Sequence, residues 1–112
     1  MLISYESIGQ VCVTCYNSGV QVNQPCKMST NCSIVACQDT NEIEGVVIAS
    51  RGSLATVAIK GFVTLPYTGT APTVGYCSIG ATGTGKVKVV DGARKYVVFN
   101  VDTNKKTVTF CL

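Results

Sequence analysis

The chain has no histidine and no tryptophan, only three prolines, and charged side chains at just 13% of its 112 residues. Each scarcity excludes something. Without histidine there is no imidazole to activate a thiol or hydroxyl nucleophile, and none to complete a mixed zinc site. A hydrophobic share of 46% beside so little charge excludes intrinsic disorder, which needs the opposite balance. No stretch approaches the ~20 apolar residues of a spanning helix. Met1-Leu2-Ile3-Ser4-Tyr5-Glu6 lacks the cationic region and apolar run of a secretory leader. The expectation is a soluble protein made in a cytoplasm. So few charges also imply that part of the exterior is covered by another subunit or a larger assembly.

The net charge of +3 is small. Lys86, Lys88, Arg94, Lys95, Lys105 and Lys106 lie in the C-terminal third, and Asp39, Glu42 and Glu44 form an acidic group near the middle. No aromatic or arginine-rich run accompanies the lysines, which argues against a nucleic-acid surface. The length is that of one domain, and no shift in composition divides residues 1–112, with 1–10 set apart as a possible extended arm.

What is abundant is cysteine, valine, threonine and glycine. The seven cysteines are Cys12, Cys15, Cys26, Cys32, Cys37, Cys77 and Cys111, an odd number in a chain for which no secretory leader is expected. Free thiols are therefore expected. Cys12-Val13-Thr14-Cys15 has the spacing of a zinc knuckle, but Val and Thr form strands rather than the tight turn a knuckle needs, and no second such pair follows. The reading adopted is that cysteine acts as a small buried hydrophobe.

Seventeen valines and thirteen threonines favour pleated, half-buried surface, and eleven glycines punctuate the chain at short intervals. Strands are expected over 11–16, 20–23, 25–28, 33–37, 45–50, 54–59, 62–65, 74–79, 86–90, 96–101 and 107–112, with a bulge or bend at Gly61. In the last hairpin, alternation puts Val97, Phe99 and Val101 on one face with Val108, Phe110 and Leu112. It leaves Thr107 and Thr109 outside and Asn104 at a left-handed turn position. Many short strands at close spacing indicate an all-β fold, a small single-domain β-barrel or β-sandwich of short antiparallel strands.

No motif supplies a catalytic group, a metal site or a cofactor. Gly80-Ala81-Thr82-Gly83-Thr84-Gly85-Lys86 has most of a phosphate-binding loop, but Val87 stands where a Ser or Thr is required and a strand follows instead of a helix. A hairpin turn accounts for the glycines. Asp39, Glu42 and Glu44 lack the ligand spacing of a calcium loop. Asn31-Cys32-Ser33 is formally a glycosylation acceptor, set aside because secretion is not expected. Two features are candidates for contact with a partner: the apolar start, Leu2, Ile3 and Tyr5, and Tyr67 in a Gly/Pro/Thr loop. Packing into the core or along a sheet edge is the alternative for both.

Several short runs share one cadence: Ser33-Ile34-Val35-Ala36-Cys37 after a turn, Glu44-Gly45-Val46-Val47-Ile48-Ala49, Val57-Ala58-Ile59-Lys60-Gly61-Phe62-Val63, and Pro72-Thr73-Val74-Gly75-Tyr76. From about Gly19 onward this resembles the small β-barrel proteins encoded in tailed-phage and prophage head-gene clusters, which decorate and stabilise the capsid. The resemblance implies a non-enzymatic virion protein, made in the bacterial host cytoplasm and bound to the capsid exterior. It implies the major capsid protein as partner and a homo-oligomer, with a trimer favoured, and no membrane or nucleic acid as partner. The cysteines depart from that pattern. Two other readings remain beside it: a small barrel binding oligosaccharide or single-stranded nucleic acid, and a cysteine-rich zinc domain. For the second reading the three phenylalanines, Phe62, Phe99 and Phe110, are expected to point mostly inward, which leaves few rings for stacking.

Overall fold

The computed structural model describes residues 10–112, and among them the chain forms ten strands and no helix. They are β1 (Val11–Asn17), β2 (Pro25–Thr30), β3 (Ser33–Ala36), β4 (Gly45–Arg51), β5 (Leu54–Lys60), β6 (Phe62–Pro66), β7 (Gly75–Ala81), β8 (Val87–Val89), β9 (Lys95–Asp102) and β10 (Thr107–Cys111). The first five close into a barrel in the order β1-β3-β2-β4-β5, and the rest form a five-stranded sheet ordered β6-β10-β9-β7-β8. Pairing between strands is antiparallel throughout except for β1 with β3, which is parallel.

Strand β5 leaves the barrel at Gly61 and enters the second sheet at once as β6. Gly61 has φ +105, and a Cβ there would lie 2.9 Å from the Gln10 Cα, so the bend requires glycine. The two bodies are joined because β4 and β5 are covered on both sides, each side by its own core. Val47 and Val57 point into the barrel with Cys15, Val20, Cys26, Ile34 and Ala55. Val46 and Ala58 point the other way, into the cluster built by Leu65, Ile79, Val98, Val108 and Phe110 of the second sheet. The run Val46-Val47 is thus apolar on both faces because each face meets a different core. A five-stranded barrel has a narrow interior, which small side chains fill, so cysteine suits it at positions 15 and 26.

Gly45 lets the barrel close. It pairs with Cys26 where β4 meets β2, and a Cβ would fall 2.6 Å from Val57 Cγ1 and 3.1 Å from the Ala58 oxygen. The crossover between β3 and β4 is then tied to the second sheet by Tyr96. Its hydroxyl donates to the Ile43 carbonyl at 2.9 Å and accepts from the Ile43 N–H at 3.2 Å. Both residues are at most 2% exposed, and the Tyr96 ring meets Phe110 edge-on at 5.2 Å.

The β9–β10 hairpin departs from simple alternation. A β-bulge at Phe99 separates the pairs Asn100 with Thr109 and Val98 with Phe110, which inverts the facing of everything before it. Val101 packs against the core as expected, but Tyr96 and Val98 take the inward positions, and Val97 and Phe99 face outward. Of the three phenylalanines only Phe110 is buried in the core, so the expectation of inward rings fails for Phe99 and Phe62. Thr109 is 4% exposed rather than open to solvent, and its hydroxyl is bonded to that of Thr64 at 2.8 Å.

Three smaller corrections belong here. Residues 20–23 are a turn and not a strand, because the Asn17 carboxamide binds both the N–H and the carbonyl of Val20 and Asn23 takes φ +66. The left-handed residue of the last turn is Lys106 at φ +54, while Asp102 accepts from the Asn104 and Lys105 amides. Tyr67, expected in an open loop, is 4% exposed and lies in the shared core.

Two substitutions measure these joints by urea denaturation. Tyr96→Phe leaves the buried Ile43 N–H and carbonyl without their partner and should cost about 1–3 kcal/mol. Gly45→Ala overlaps Val57 and should cost a similar ~1–3 kcal/mol by overpacking. An unchanged midpoint in either variant would remove that residue from the account.

Candidate functional site

The outer face of the second sheet, with the entry to β7, carries the two most exposed large apolar side chains among the described residues, although the barrel exposes more of them in number, Val11, Val13, Met28 and Ile59 included. Register places Phe62 opposite Cys111, Cys111 opposite Val97, and Val97 opposite Tyr76, so one row crosses β6, β10, β9 and β7. Cross-strand partners share a face, and this row lies on the side away from Val63, Phe110, Val98 and Cys77. Tyr76 is 75% exposed, Val74 just before it 70%, and Phe99 48%. The bulge carries Phe99 onto this face, where its ring meets that of Phe62 edge-on at 4.6 Å. Gly75, at φ +97, sets the entry of β7 between Val74 and Tyr76.

A second apolar region lies outside the barrel. Tyr16 pairs with Leu54, which pairs with Arg51, and both apolar side chains are exposed. A bulge between Val47 and Ala49 turns Ile48 outward in the same way that Phe99 is turned. Beside them a cleft of about 330 Å³ is lined by Thr14, Ala49, Arg51, Leu54 and Thr56.

Of the contact candidates read from the sequence, Leu2, Ile3 and Tyr5 lie outside the described residues. Tyr67 is inside the core and its ring is not offered to a partner; the residues that are displayed, Val74, Tyr76 and Phe99, were not singled out. For Phe99 a signal exists in Tyr96-Val97-Val98-Phe99. Four consecutive apolar residues in a strand must place two on the face opposite the core.

The cysteines are all unpaired. Cys12 and Cys15 are three apart on β1, hence on opposite faces, with Cys12 exposed and Cys15 inside the barrel. They cannot chelate one ion. Among the described residues no group of three His, Cys, Asp or Glu side chains is placed to hold a metal. The acidic group is dispersed. Asp39 pairs with Lys88 at 2.6 Å, and Glu44 accepts from the Met28 amide at 2.8 Å. The Gly-rich segment is the turn between β7 and β8, with Gly83 and Gly85 in left-handed conformation and packed close to Asp39 and Gln24.

Burial, with the neighbouring Cys37 and Cys15 thiols, pushes the Cys26 thiol from 9.0 up to about 12. Burial also raises Cys37 to about 11, opposed in part by Lys27. A thiol that stays neutral cannot act as a nucleophile, so these two are inert in the folded chain. Compared with known proteins, the chain matches no family model, no curated protein and no solved structure.

Two measurements follow from the thiols. With iodoacetamide at neutral pH, Cys12 and Cys32 should be modified first, and Cys26 and Cys37 at least ~10²-fold more slowly. Equal rates would mean that the barrel opens faster than the thiols react. The raised values also make stability fall with alkali: the unfolded chain releases these protons near 9.0 while the folded one holds them to about 11 and about 12. That contribution is complete below pH 9 and is lost as pH rises through this window. Cys26→Ala combined with Cys37→Ala should flatten the decline in urea midpoint above pH 9, and an unaltered slope would assign it to other groups.

Proposed function

We propose that the protein is a non-catalytic structural protein that decorates a bacteriophage capsid, docking on the major capsid protein through the outer face of its second sheet. The observation that carries the reading is the display of Tyr76 and Phe99 beside Val97 on one sheet face, with Val74 exposed at the entry to β7. Large contiguous apolar surface is unusual on a free monomer and marks places where another body sits. The resemblance of the Gly-Val-Val, Gly-Phe and Pro-x-x-Gly runs to head-decoration proteins supplies the nature of that body. A domain that binds assembled shell subunits and not unfolded ones stabilises the shell by mass action. A trimer, with each copy presenting the same face, is the assembly proposed for docking.

One observation favours a second reading. Three rings, Tyr76, Phe99 and Phe62, belong to the same outer face, and base or sugar stacking uses such a surface. The two readings separate in one experiment. The purified protein is mixed with shells assembled from the candidate capsid protein, the shells are sedimented, and the pellet is quantified. Saturable pelleting at a fixed ratio is expected, and Tyr76→Ser with Phe99→Ser should lower occupancy at least ~10-fold, since buried aromatic anchors dominate docking energies. No pelleting at micromolar concentration, with retention on an oligosaccharide or single-stranded DNA column, overturns the capsid reading in favour of the second.

A further inference from the structure

We propose that the opposite end of the second sheet is a binding site for a phosphoryl or sulfuryl oxyanion on a small group, formed by Lys86, Lys105, Lys106, Thr68 and Asn104. These side chains line a cavity of about 340 Å³ between the end of β6, the start of β8 and the β9–β10 turn. The apolar row crosses β6 at Phe62 and the cavity begins at Pro66, four residues further on, so roughly 13 Å of strand separates the two. The proposal does not depend on the docking reading.

Three lysines from two separate turns converge here, and no carboxylate lines the cavity. Among the described residues the ion pair of Lys88 with Asp39 is the single one, so Lys86, Lys105 and Lys106 have no anionic partner there. The nearest acidic residue in sequence, Asp102, already accepts from the Asn104 and Lys105 amides. Like charges held around one cavity repel, and a doubly charged anion between them turns that repulsion into attraction. The Thr68 hydroxyl and the Asn104 carboxamide have no hydrogen-bond partner among the described residues, which leaves neutral donors beside the ammonium groups.

The frame is rigid. The Tyr67 N–H donates to the Lys106 carbonyl at 3.0 Å, and the Thr68 N–H donates to Val87 at 2.9 Å. Tyr67, anchored in the shared core, lines the cavity as well. Lys106 itself is fixed in the left-handed region at φ +54, a conformation that a lysine rarely takes. The Gly-rich turn has its role in this arrangement. Its backbone does not cradle a phosphate, since the Thr82 amide donates to the Lys86 carbonyl, but it delivers Lys86 to the cavity wall.

The ligand class follows from these groups. Point-charge ammonium donors without an arginine fork suit a compact, multiply charged oxyanion better than a planar carboxylate. The cavity is open to solvent on one side, so an oxyanion carried on a small group can enter it. Diphosphates and phosphomonoesters of small groups, or the sulfated equivalents, are the class that fits.

The test is a ¹⁵N–¹H titration of the intact protein with inorganic phosphate, pyrophosphate, sulfate and acetate at constant ionic strength. Saturable shifts are expected at Thr68, Gly69, Lys86, Asn104, Lys105 and Lys106, with pyrophosphate tighter than phosphate or sulfate and acetate without effect. Lys86→Gln should weaken pyrophosphate about tenfold, the equivalent of one charge-assisted contact, while Lys95→Gln in β9 should not. Shifts that fail to saturate by roughly 50 mM, weaker than any specific millimolar site, overturn the proposal. Equal losses in the two lysine variants do so as well, because they would reduce the effect to net charge. A free oxyanion and a phosphorylated polymer are told apart by repeating the titration with a short oligonucleotide. Competition by pyrophosphate at the same residues places the polymer's phosphates in this site, and shifts elsewhere place them outside it.

Discussion

Both backbone groups of Ile43 are satisfied by one side-chain hydroxyl, that of Tyr96, and the arrangement of the two sheets depends on that junction. The crossover from β3 to β4 is exposed over most of its length, but Ile43 turns inward into the core shared with the second sheet, where its peptide groups are shut off from water. A peptide group so placed costs several kcal/mol unless paired, and no strand runs alongside Ile43 to pair it. Tyr96 supplies both a donor and an acceptor from across the interface. Arg94 lies over the same ring at 4.9 Å, and the ring packs on Phe110, so the hydroxyl is held in place from its other sides. Burial raises the Tyr96 pKa, opposed by the Ile43 backbone bond and by Arg94, which keeps the phenol protonated as the donor role requires.

From that junction the rest of the packing follows. Strands β4 and β5 belong to the barrel by hydrogen bonding and to the second sheet by their other face. The barrel interior is small, and valine, alanine and cysteine fill it with one larger side chain, Ile34. The shared core is larger and takes the leucine and aromatic side chains with Ile43 and Ile79. Gly45 and Gly61 sit where the chain has to pass another segment closer than a Cβ allows. The cysteines are distributed by the same logic: those inside serve as small apolar volume, burial holding the Cys26 and Cys37 thiols neutral, and Cys12 and Cys32 stand at the surface.

The surfaces proposed as functional arise at irregularities of the sheets. A bulge moves Phe99 out of the core and sets it on a face with Tyr76 and Val97; another turns Ile48 outward on the barrel. Bulges of this kind re-aim side chains at the cost of ladder hydrogen bonds, and they recur beside binding sites. At the far end of the sheet, two turns rather than any strand bring the lysines together. The apolar face and the cationic cavity occupy opposite ends of one rigid sheet, so a body seated on the first leaves the second open.

The sequence alone determined the all-β class and nearly every strand, since valine and threonine at alternating positions between glycine turns have few other ways to bury their apolar half. The reading of cysteine as core volume holds for Cys15, Cys26, Cys37 and Cys77 but not for Cys12 and Cys32, which the structure leaves exposed. What the sequence could not contain was the count of residues across each pairing. One extra residue at Phe99 reverses the facing of Val97 and Val98, and periodicity cannot reveal that before the partner strand is known. Tyr67 was misplaced for a related reason: a Gly/Pro/Thr context signals a loop but not what lies beneath it. The barrel closure, the double covering of β4 and β5, and the meeting of Lys86 with Lys105 and Lys106 are contacts between residues far apart in the chain. Only the tertiary structure decides such contacts, because they depend on how faces meet and not on which residues are neighbours along the backbone.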